Sequence, residues 1–525
     1  MEGAQSYGWK LTLEGKVDKE GTSEVRNVKV SSLEPGTTYG FSVKAVGKAG
    51  ASAYCAEIQA KTEGTTPVPP TPSGRVLCVD APLVISLDRK PVLGSSGLIR
   101  VFKTDGTEVD RIDLADLSTV TVREDGMMVP KVQLTKETVY NTFMDALVSG
   151  KNYRVVNYTP LRVDGNNLIV KLHGGVLSYG GSYYVTMDDS VCGKAVAEGE
   201  WPFTVKTKPS STSVLKVAAD GSADFCTVQG ALGYAATLSG DVTVEVAAGT
   251  YREQLYLREK AHVTVKGASR ESTVITYPNN EGYAYGTGGS TTAKPALGKT
   301  VGASGGRAVF LVENCDELVL QDLTLENSFN DPKGQAETIY FNSGSNAHRL
   351  TVENCALLSW QDTFLCKGRV WVHNTLIAGH CDYIWGYPDV CLFEDCEIRS
   401  RAKGYIVQAR VPKAENKGFV FLNCRLTAED GVADGSMYLA RSGGDATVYD
   451  NVVFIGCTMA SVIAPTGWYT SPAPNPSTPT ATSGWREWGS VDPSGASVTG
   501  HNASGKVLTD AEAASYSSRT SVLGW

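Results

Sequence analysis

The stretch from Val352 to Gly386, VENCALLSWQDTFLCKGRVWVHNTLIAGHCDYIWG, contains one structural unit written twice. Val352-Glu353-Asn354-Cys355-Ala356-Leu357 opens the first copy and Val372-His373-Asn374-Thr375-Leu376-Ile377 the second, twenty residues on, in the order apolar, polar, Asn, small, variable, apolar. Further copies read FEDCEI from Phe393, FLNCRL from Phe421 and FIGCTM from Phe454, with LQDLTL from Leu320 as an earlier one. Short β-type segments at this spacing cannot close a core alone. Stacked as the rungs of a coil they bury one continuous interior, and insertions fall into loops on one face. The pattern predicts an all-β chain whose main body is a right-handed parallel β-helix.

Asp362 and Asp382 occupy the same offset in the two copies. Neighbouring strands lie about 4.8 Å apart, so the two aspartates should be near neighbours on successive coils. Two carboxylates so close cannot both ionise freely, and one of the pair should have a raised pKa. That division suits one acid and one nucleophile. The structural alternative is a pair of turn aspartates bonding their own backbone.

With 525 residues and a net charge of -8, the chain is long enough for about three domains and lacks the basic excess of a nucleic-acid binder. No apolar run of membrane-spanning length occurs, and the opening MEGAQSYGWK lacks the apolar core of a signal peptide, so either an export signal was removed or the chain is cytosolic. Of twelve cysteines, Cys355, Cys396, Cys424 and Cys457 share one slot of the repeat. A ladder of small buried side chains is the simplest account of them. No spacing of Cys and His reads as a zinc site, and neither a metal nor another cofactor is expected.

Ahead of the repeat, residues 1–64 alternate apolar and polar around the turn Leu33-Glu34-Pro35-Gly36-Thr37-Thr38-Tyr39. This resembles the second half of a fibronectin type III domain, with its first strands missing. Residues 65–74 form a Pro-rich linker. Residues 75–207 carry short strands such as Leu98–Phe102, Leu168–Leu172 and Tyr183–Met187 and resemble an immunoglobulin-like sandwich, a spacer or a carbohydrate binder. A second linker, 208–213, precedes the coiled domain, 214–525.

Within that last domain, Val217 to Phe225 with Val228-Gln229, then Gly249-Thr250-Tyr251-Arg252-Glu253, Gly334-Gln335-Ala336, Gln361-Asp362-Thr363, Asp382-Tyr383-Ile384-Trp385-Gly386 and finally Leu508 to Ala514 resemble, in order, the motifs of the pectin methylesterases. The resemblance implies that Asp382 attacks the methyl ester of a galacturonate in pectin, with Arg441 holding its carboxylate. Asp362 would protonate the departing methanol and then deprotonate water. Gln335 and Gln361 would donate to the oxyanion, Gln361 only if a bend turns consecutive side chains to one side. For gripping the polymer, Tyr383 and Trp385 beside the nucleophile and Lys403 and Arg410 on the next coil are candidates; Lys403 repeats the offset of the two aspartates. The partner would be homogalacturonan, and the protein an exported monomer.

The chain departs from the family pattern in three places. Leu439-Ala440-Arg441-Ser442-Gly443 keeps the arginine of Leu-Gly-Arg-Pro-Trp but has Gly443 for the tryptophan, Gly379-His380-Cys381-Asp382 stands for Gly-Thr-Val-Asp, and a Gly-rich insertion from Asn279 to Gly306 could roof the cleft. Other classes stay open. A retaining glycoside hydrolase uses carboxyl groups about 5 Å apart, although it has no need of the two glutamines. A catalytically inactive β-helix that only binds carbohydrate is conceivable, although all the residues of the ester chemistry are present. A calcium-dependent lyase would need a cluster of acidic ligands that is not evident.

Overall fold

A computed structural model of the chain describes residues 4–23, 37–48, 50–62, 74–115, 120–122, 128–130, 144–280, 306–329, 334–343 and 347–525, with single positions 28, 30, 33 and 332. Residues 34–36 of the fibronectin-like turn, most of the Pro-rich stretch and 281–305 of the Gly-rich insertion lie outside them.

Among the described residues, 23 strands from Val214–Val217 to Gly505–Val507 join in one sheet. Pairings run parallel from coil to coil: Val263–Gly267 with Leu318–Gln321, that strand with Arg349–Glu353, and that with the second half of Phe364–His373. This is a parallel β-helix. The Asn of each repeat is where the chain turns a corner. Asn354, Asn374, Asp395 and Asn423 have φ of 50°, 46°, 53° and 55°, and Asp322 and Gly456, in the same slot, have 56° and 60°. Left-handed backbone is tolerated best by Gly, Asn and Asp, which explains the alphabet of this position. The amides also bond along the stack, Asn354 Nδ2 donating to Asp322 Oδ1 at 2.6 Å and Asn374 Nδ2 to Asn354 Oδ1 at 3.3 Å.

The residue after each corner points into the coil, where space is short. Cys355, Cys396, Cys424 and Cys457 are fully buried free thiols. Beside them Phe393, Phe421 and Phe454 stack with centroids 4.7 and 4.4 Å apart. Each such buried ring contributes roughly 1.5–3 kcal/mol of transfer free energy.

The helix Val228–Ala235 closes the first coils, its Thr227 side chain accepting from Gly230 N. Motif residues Gln229 and Glu253 prove structural. Glu253 accepts from Val228 N and Gln229 N, both at 2.9 Å, and Gln229 Oε1 accepts from Tyr256 N at 2.7 Å. At the other end Leu508, Tyr516, Val522 and Leu523 pack on Leu392, Val420 and Val453 of the outer face, so the motif from Leu508 to Ala514 is a cover for the coil.

The strands before Val214 form separate sheets. Lys16–Ser23, Ser6–Leu13 and Thr38–Gly47 pair antiparallel, with Gly50–Ala51 and Ile58–Lys61 against the last. Leu83–Ser86, Leu161–Asp164 and Asn167–Val170 make one sheet, and Val76–Leu77, Leu98–Lys103, Glu108–Asp113, Ser182–Met187 and Pro202–Val205 another; residues of both share a core around Leu83, Ile99, Leu168 and Val185. Among the described residues, the hairpin of Met144–Ser149 and Asn152–Asn157 joins neither sheet. Its Leu147 and Val156 pack instead with Tyr256, Leu311, Tyr340 and Trp385 of the β-helix. Among the described residues no helix is long and apolar enough to cross a membrane.

Candidate active site

One corner of the β-helix gathers the polar side chains singled out above. Gln335, Gln361 and Cys381 bridge in parallel, each one coil beyond the last, so Asp362 and Asp382 follow them in register. Both aspartates turn left-handed, with φ of 62° and 47°. That bend breaks the alternation of a strand, so consecutive side chains such as Gln361 and Asp362 need not point to opposite faces. The two carboxylates are almost wholly buried, at 3% and 4% exposure.

Their surroundings differ. Arg441 Nε donates to Asp382 Oδ1 at 2.7 Å and Arg441 Nη2 to Asp382 Oδ2, while Gln408 Nε2 donates to the same Oδ2 at 3.0 Å. A fork of charged donors plus one amide fixes the Asp382 carboxylate. Among the described residues, Asp362 receives one bond of this kind, from Arg307 Nη2 at 3.2 Å. Burial, then the charge of Glu337, push the Asp362 carboxyl well above the usual carboxylate range; Arg307 opposes this and Asp382 adds to it. Arg307 itself is held by Glu337, its Nε lying 2.8 Å from both carboxylate oxygens, and its Nη1 donates to Gln335 Oε1.

Successive coils therefore supply Arg307, then Gln335 with Glu337, then Gln361 with Asp362, then Asp382, then Gln408, then Arg441. The arrangement offers an anchored carboxylate, a buried carboxyl that keeps its proton to higher pH, and amide donors between the coils. Such a set can carry nucleophilic attack on a carbonyl with proton transfer to the leaving group. It is the corner at which motif matching and geometry coincide.

The family description "Pectinesterase" matches residues 214–520. The chain belongs to the pectinesterase family. It is thus an ester hydrolase of the pectinesterase class. "Pectinesterase 31" of Arabidopsis thaliana is 30% identical over 264 residues, covering 50% of this chain and 78% of the relative. "Probable pectinesterase A" of Aspergillus niger is 26% identical over 283 residues, covering 53% and 80%. Among solved structures, pectin methylesterase PemA from Erwinia chrysanthemi is 22% identical with a TM-score of 0.47, covering 60% of this chain and 98% of that one. The carrot pectin methylesterase is 24% identical with a TM-score of 0.48, covering 60% and 95%.

Three polymer-binding expectations need correction. Tyr383 has no exposed surface and lies in the core of the coil, because the bend at Asp382 sends the next side chain inward. It cannot touch a polysaccharide. Trp385 is only 8% exposed; its ring packs with Leu147 and Val156 of the hairpin and is covered by the guanidinium groups of Arg307 and Arg410, 5.4 and 5.1 Å from its centroid. No open face is left for a sugar. Lys403 is exposed, but it is not level with the aspartates: Gly379 pairs with Ser400, whereas Cys381 pairs with Tyr405, so extra residues bulge out here and Lys403 is among them.

Arg410 does reach the site, donating to Gln408 Oε1 from Nε and Nη2 at 3.0 and 2.6 Å and to the Tyr387 hydroxyl at 2.9 Å. It thereby turns the Gln408 amide so that its nitrogen faces Asp382. Gly443, which stands for the family tryptophan, faces Gln408 and Arg410. Beside Arg441 the partly buried rings of Tyr405, Tyr438 and Tyr469 cluster, with Tyr405 and Tyr469 4.9 Å apart and the Arg441 guanidinium 5.0 Å from the Tyr405 centroid.

Arg307, Glu337 and Gln408 were not found by sequence reasoning. Gln408 is hidden by the same bulge that displaces Lys403. Arg307 sits immediately after the insertion, where no offset from a neighbouring coil can be counted. The one available signal for Glu337 was a charged residue in the inward-alternating run Gln335-Ala336-Glu337-Thr338-Ile339.

Proposed function

We propose that this chain removes methyl groups from the galacturonate esters of pectin, with Asp382 as nucleophile and Asp362 as general acid and base. A carboxylate oxygen of Asp382 attacks the ester carbonyl carbon, and the charge moves to the carbonyl oxygen, where the side-chain amides of Gln335 and Gln361 donate. Collapse expels the methoxy group, which takes the proton of Asp362 and leaves as methanol, with the uronate joined to Asp382 as an anhydride. Water then gives a proton to Asp362 while its oxygen adds to the same carbonyl; collapse breaks the bond to Asp382, expelling the Asp382 carboxylate, and the freed galacturonic acid loses its proton to solvent, so both aspartates are restored. No step requires a metal. The observation that carries this reading is the contrast within one pair: Asp382 anchored by Arg441 and Gln408, Asp362 buried with its carboxyl raised.

Tyr405, Tyr438 and Tyr469, clustered beside Arg441, are proposed to supply a sugar-stacking surface, with Arg410 near enough to meet a uronate carboxylate. The sheets of residues 1–207 would be accessory domains, fibronectin-like and immunoglobulin-like, on an exported enzyme. An extracellular site of action accords with a cell-wall substrate.

The test is methanol release from highly methylated pectin by the parent, Asp382→Ala and Asp362→Asn, with and without EDTA. EDTA-resistant release in the parent, lowered about 10³-fold or more in both variants, is expected. Release that survives Asp382→Ala would remove the nucleophile from this scheme, and new reducing ends without methanol would make the enzyme a glycosidase.

A further inference from the structure

We propose that Arg307 is a positioning residue that sets both the oxyanion donor Gln335 and the acid Asp362, and that Arg154 of the preceding region holds Arg307 in place. This rests on the roles given to Asp362 and Asp382 above.

A guanidinium group only donates hydrogen bonds. Arg307 Nη1 can therefore accept nothing but the oxygen end of the Gln335 amide as its partner, and the Gln335 nitrogen is turned the other way, as an oxyanion donor must be. The same group occupies Asp362 Oδ2, at 3.2 Å, so the transferable proton of Asp362 belongs on Oδ1. Arg307 is fixed from behind by Glu337, which has no exposed surface and lies 2.7 Å from Nη2. Its positive charge is thus largely neutralised by Glu337 before it meets Asp362. One planar fork defines which atom of each catalytic side chain faces the substrate.

Arg307 follows a long insertion, so its backbone needs its own support. That support comes from the hairpin of Met144–Ser149 and Asn152–Asn157. Arg154, 1% exposed, inserts between the two regions and donates through Nη2 to the carbonyls on either side of Arg307, Gly306 O at 2.8 Å and Ala308 O, and through Nη1 to Leu255 O at 2.8 Å and Val309 O at 3.3 Å. Asn279 Nδ2 meets the same two flanking carbonyls at 2.9 and 3.1 Å. Leu147 and Val156 of the hairpin complete the wall against Ala308, Tyr340 and Trp385. The hairpin reaches Arg307 through the carbonyls that flank it and the packed wall beside them.

The experiment measures kcat and KM for methanol release against pH in the full chain, for Arg307→Met, Arg307→Lys, Arg307→Met/Glu337→Leu, Arg154→Leu and the control Asp382→Asn, with folding checked by near-UV circular dichroism. Removing one oxyanion-hole donor costs about 10²–10³ in kcat. Arg307→Met should fall by that much with KM little changed, and Arg307→Lys should recover only a small part, since one ammonium cannot serve three acceptors.

The charged groups facing Asp362 are Glu337, Arg307, Asp382 and Arg410. Deleting the Arg307 cation raises the Asp362 carboxyl further, so the basic limb of the kcat profile should move to higher pH. The double variant removes one charge of each sign and should bring the limb back while kcat stays low. Arg154→Leu should show a smaller loss of kcat, about tenfold, without the shift of the limb. Parent kcat in Arg307→Met, or its recovery in the double variant, would overturn the positioning role, and parent kcat in Arg154→Leu would overturn the clamp. If Arg307→Met does not fold, the lysine and double variants decide the matter. Turnover by Asp382→Asn would show instead that the underlying assignment of the aspartates has failed.

Discussion

Arg441 and Gln408 reach the same carboxylate from the two coils that follow it, and they do different work. Arg441 closes a fork on both oxygens of Asp382, so the carboxylate plane is fixed; Gln408 adds a bond to Oδ2 alone, and its amide is oriented by Arg410. A hydrogen bond to a charged group is worth about 1.5–3 kcal/mol. Gln408→Leu should accordingly lower kcat by roughly tenfold to a hundredfold, measured as methanol release at saturating pectin. Arg441→Lys keeps the charge and loses the fork, and should cost more than Gln408→Leu does. Equal or smaller loss in the lysine variant would mean that charge alone holds the nucleophile. Of these residues, Arg441 was legible from its motif. Gln408 was not, because it pairs with Trp385, three residues past Asp382, after a bulge between Ser400 and Tyr405 breaks the repeat's offset.

At the scale of elements, the corners of the coil and the helix at its end carry separate stabilities. Asn354 combines a left-handed backbone with an amide bond to Asp322, so Asn354→Ala should destabilise by about 2 kcal/mol, and Asn354→Gly by less because glycine relieves the backbone strain. Thermal or urea unfolding would rank the two, and equal losses would mean that the left-handed turn carries no strain. Glu253, bonded to the N-terminus of Val228–Ala235, has its carboxyl pushed up to about 7 by burial, against an ordinary 4.5. The folded chain then holds a proton that the unfolded chain has released throughout that window. Stability must fall as pH rises from about 4.5 to 7, by about 3 kcal/mol from this group. In Glu253→Gln this contribution should be lost, leaving a shallower slope in a plot of unfolding temperature against pH. A slope unchanged in the variant would assign the pH dependence to another group. The repeat itself was readable because each corner is set by one residue and its neighbours; the helix contacts of Glu253 and Gln229 were not, since the motif names the residues without their partners.

Over the whole molecule, the β-helix is joined to what precedes it by buried polar contacts. Besides Arg154, Asp80 Oδ2 accepts from Thr227 N at 2.8 Å and Thr227 Oγ1 at 2.6 Å, and Lys206 Nζ donates to Gly221 O and Ala223 O, both at 2.7 Å. Asp80→Ala removes the acceptor of two backbone amides and a hydroxyl at the start of the helix Val228–Ala235. It should destabilise this end of the coil by about 2–3 kcal/mol, seen by calorimetry as a lower unfolding temperature. An unchanged unfolding profile would mean that the junction contributes nothing to the coil. The region before the β-helix, readable in sequence only as a spacer or a binder, is in the structure a wall of the candidate catalytic corner through the hairpin that carries Arg154.

The sequence by itself determined the stacking of the coils, the pairing of Asp362 with Asp382 and the family. Those features are local: a left-handed Asn or Gly, a small residue behind it and an apolar rung recur wherever a coil turns, whatever lies between. Only the tertiary structure decided that Tyr383 and Trp385 are closed to a polymer, that Lys403 is out of register, that Arg307 and Gln408 meet the aspartates, and that Glu337 and Arg154 back Arg307. Insertions of different length separate the coils, so residues that touch across them stand at no fixed interval. A side chain from another sheet, such as Arg154, leaves no mark at all in the stretch of chain that it supports.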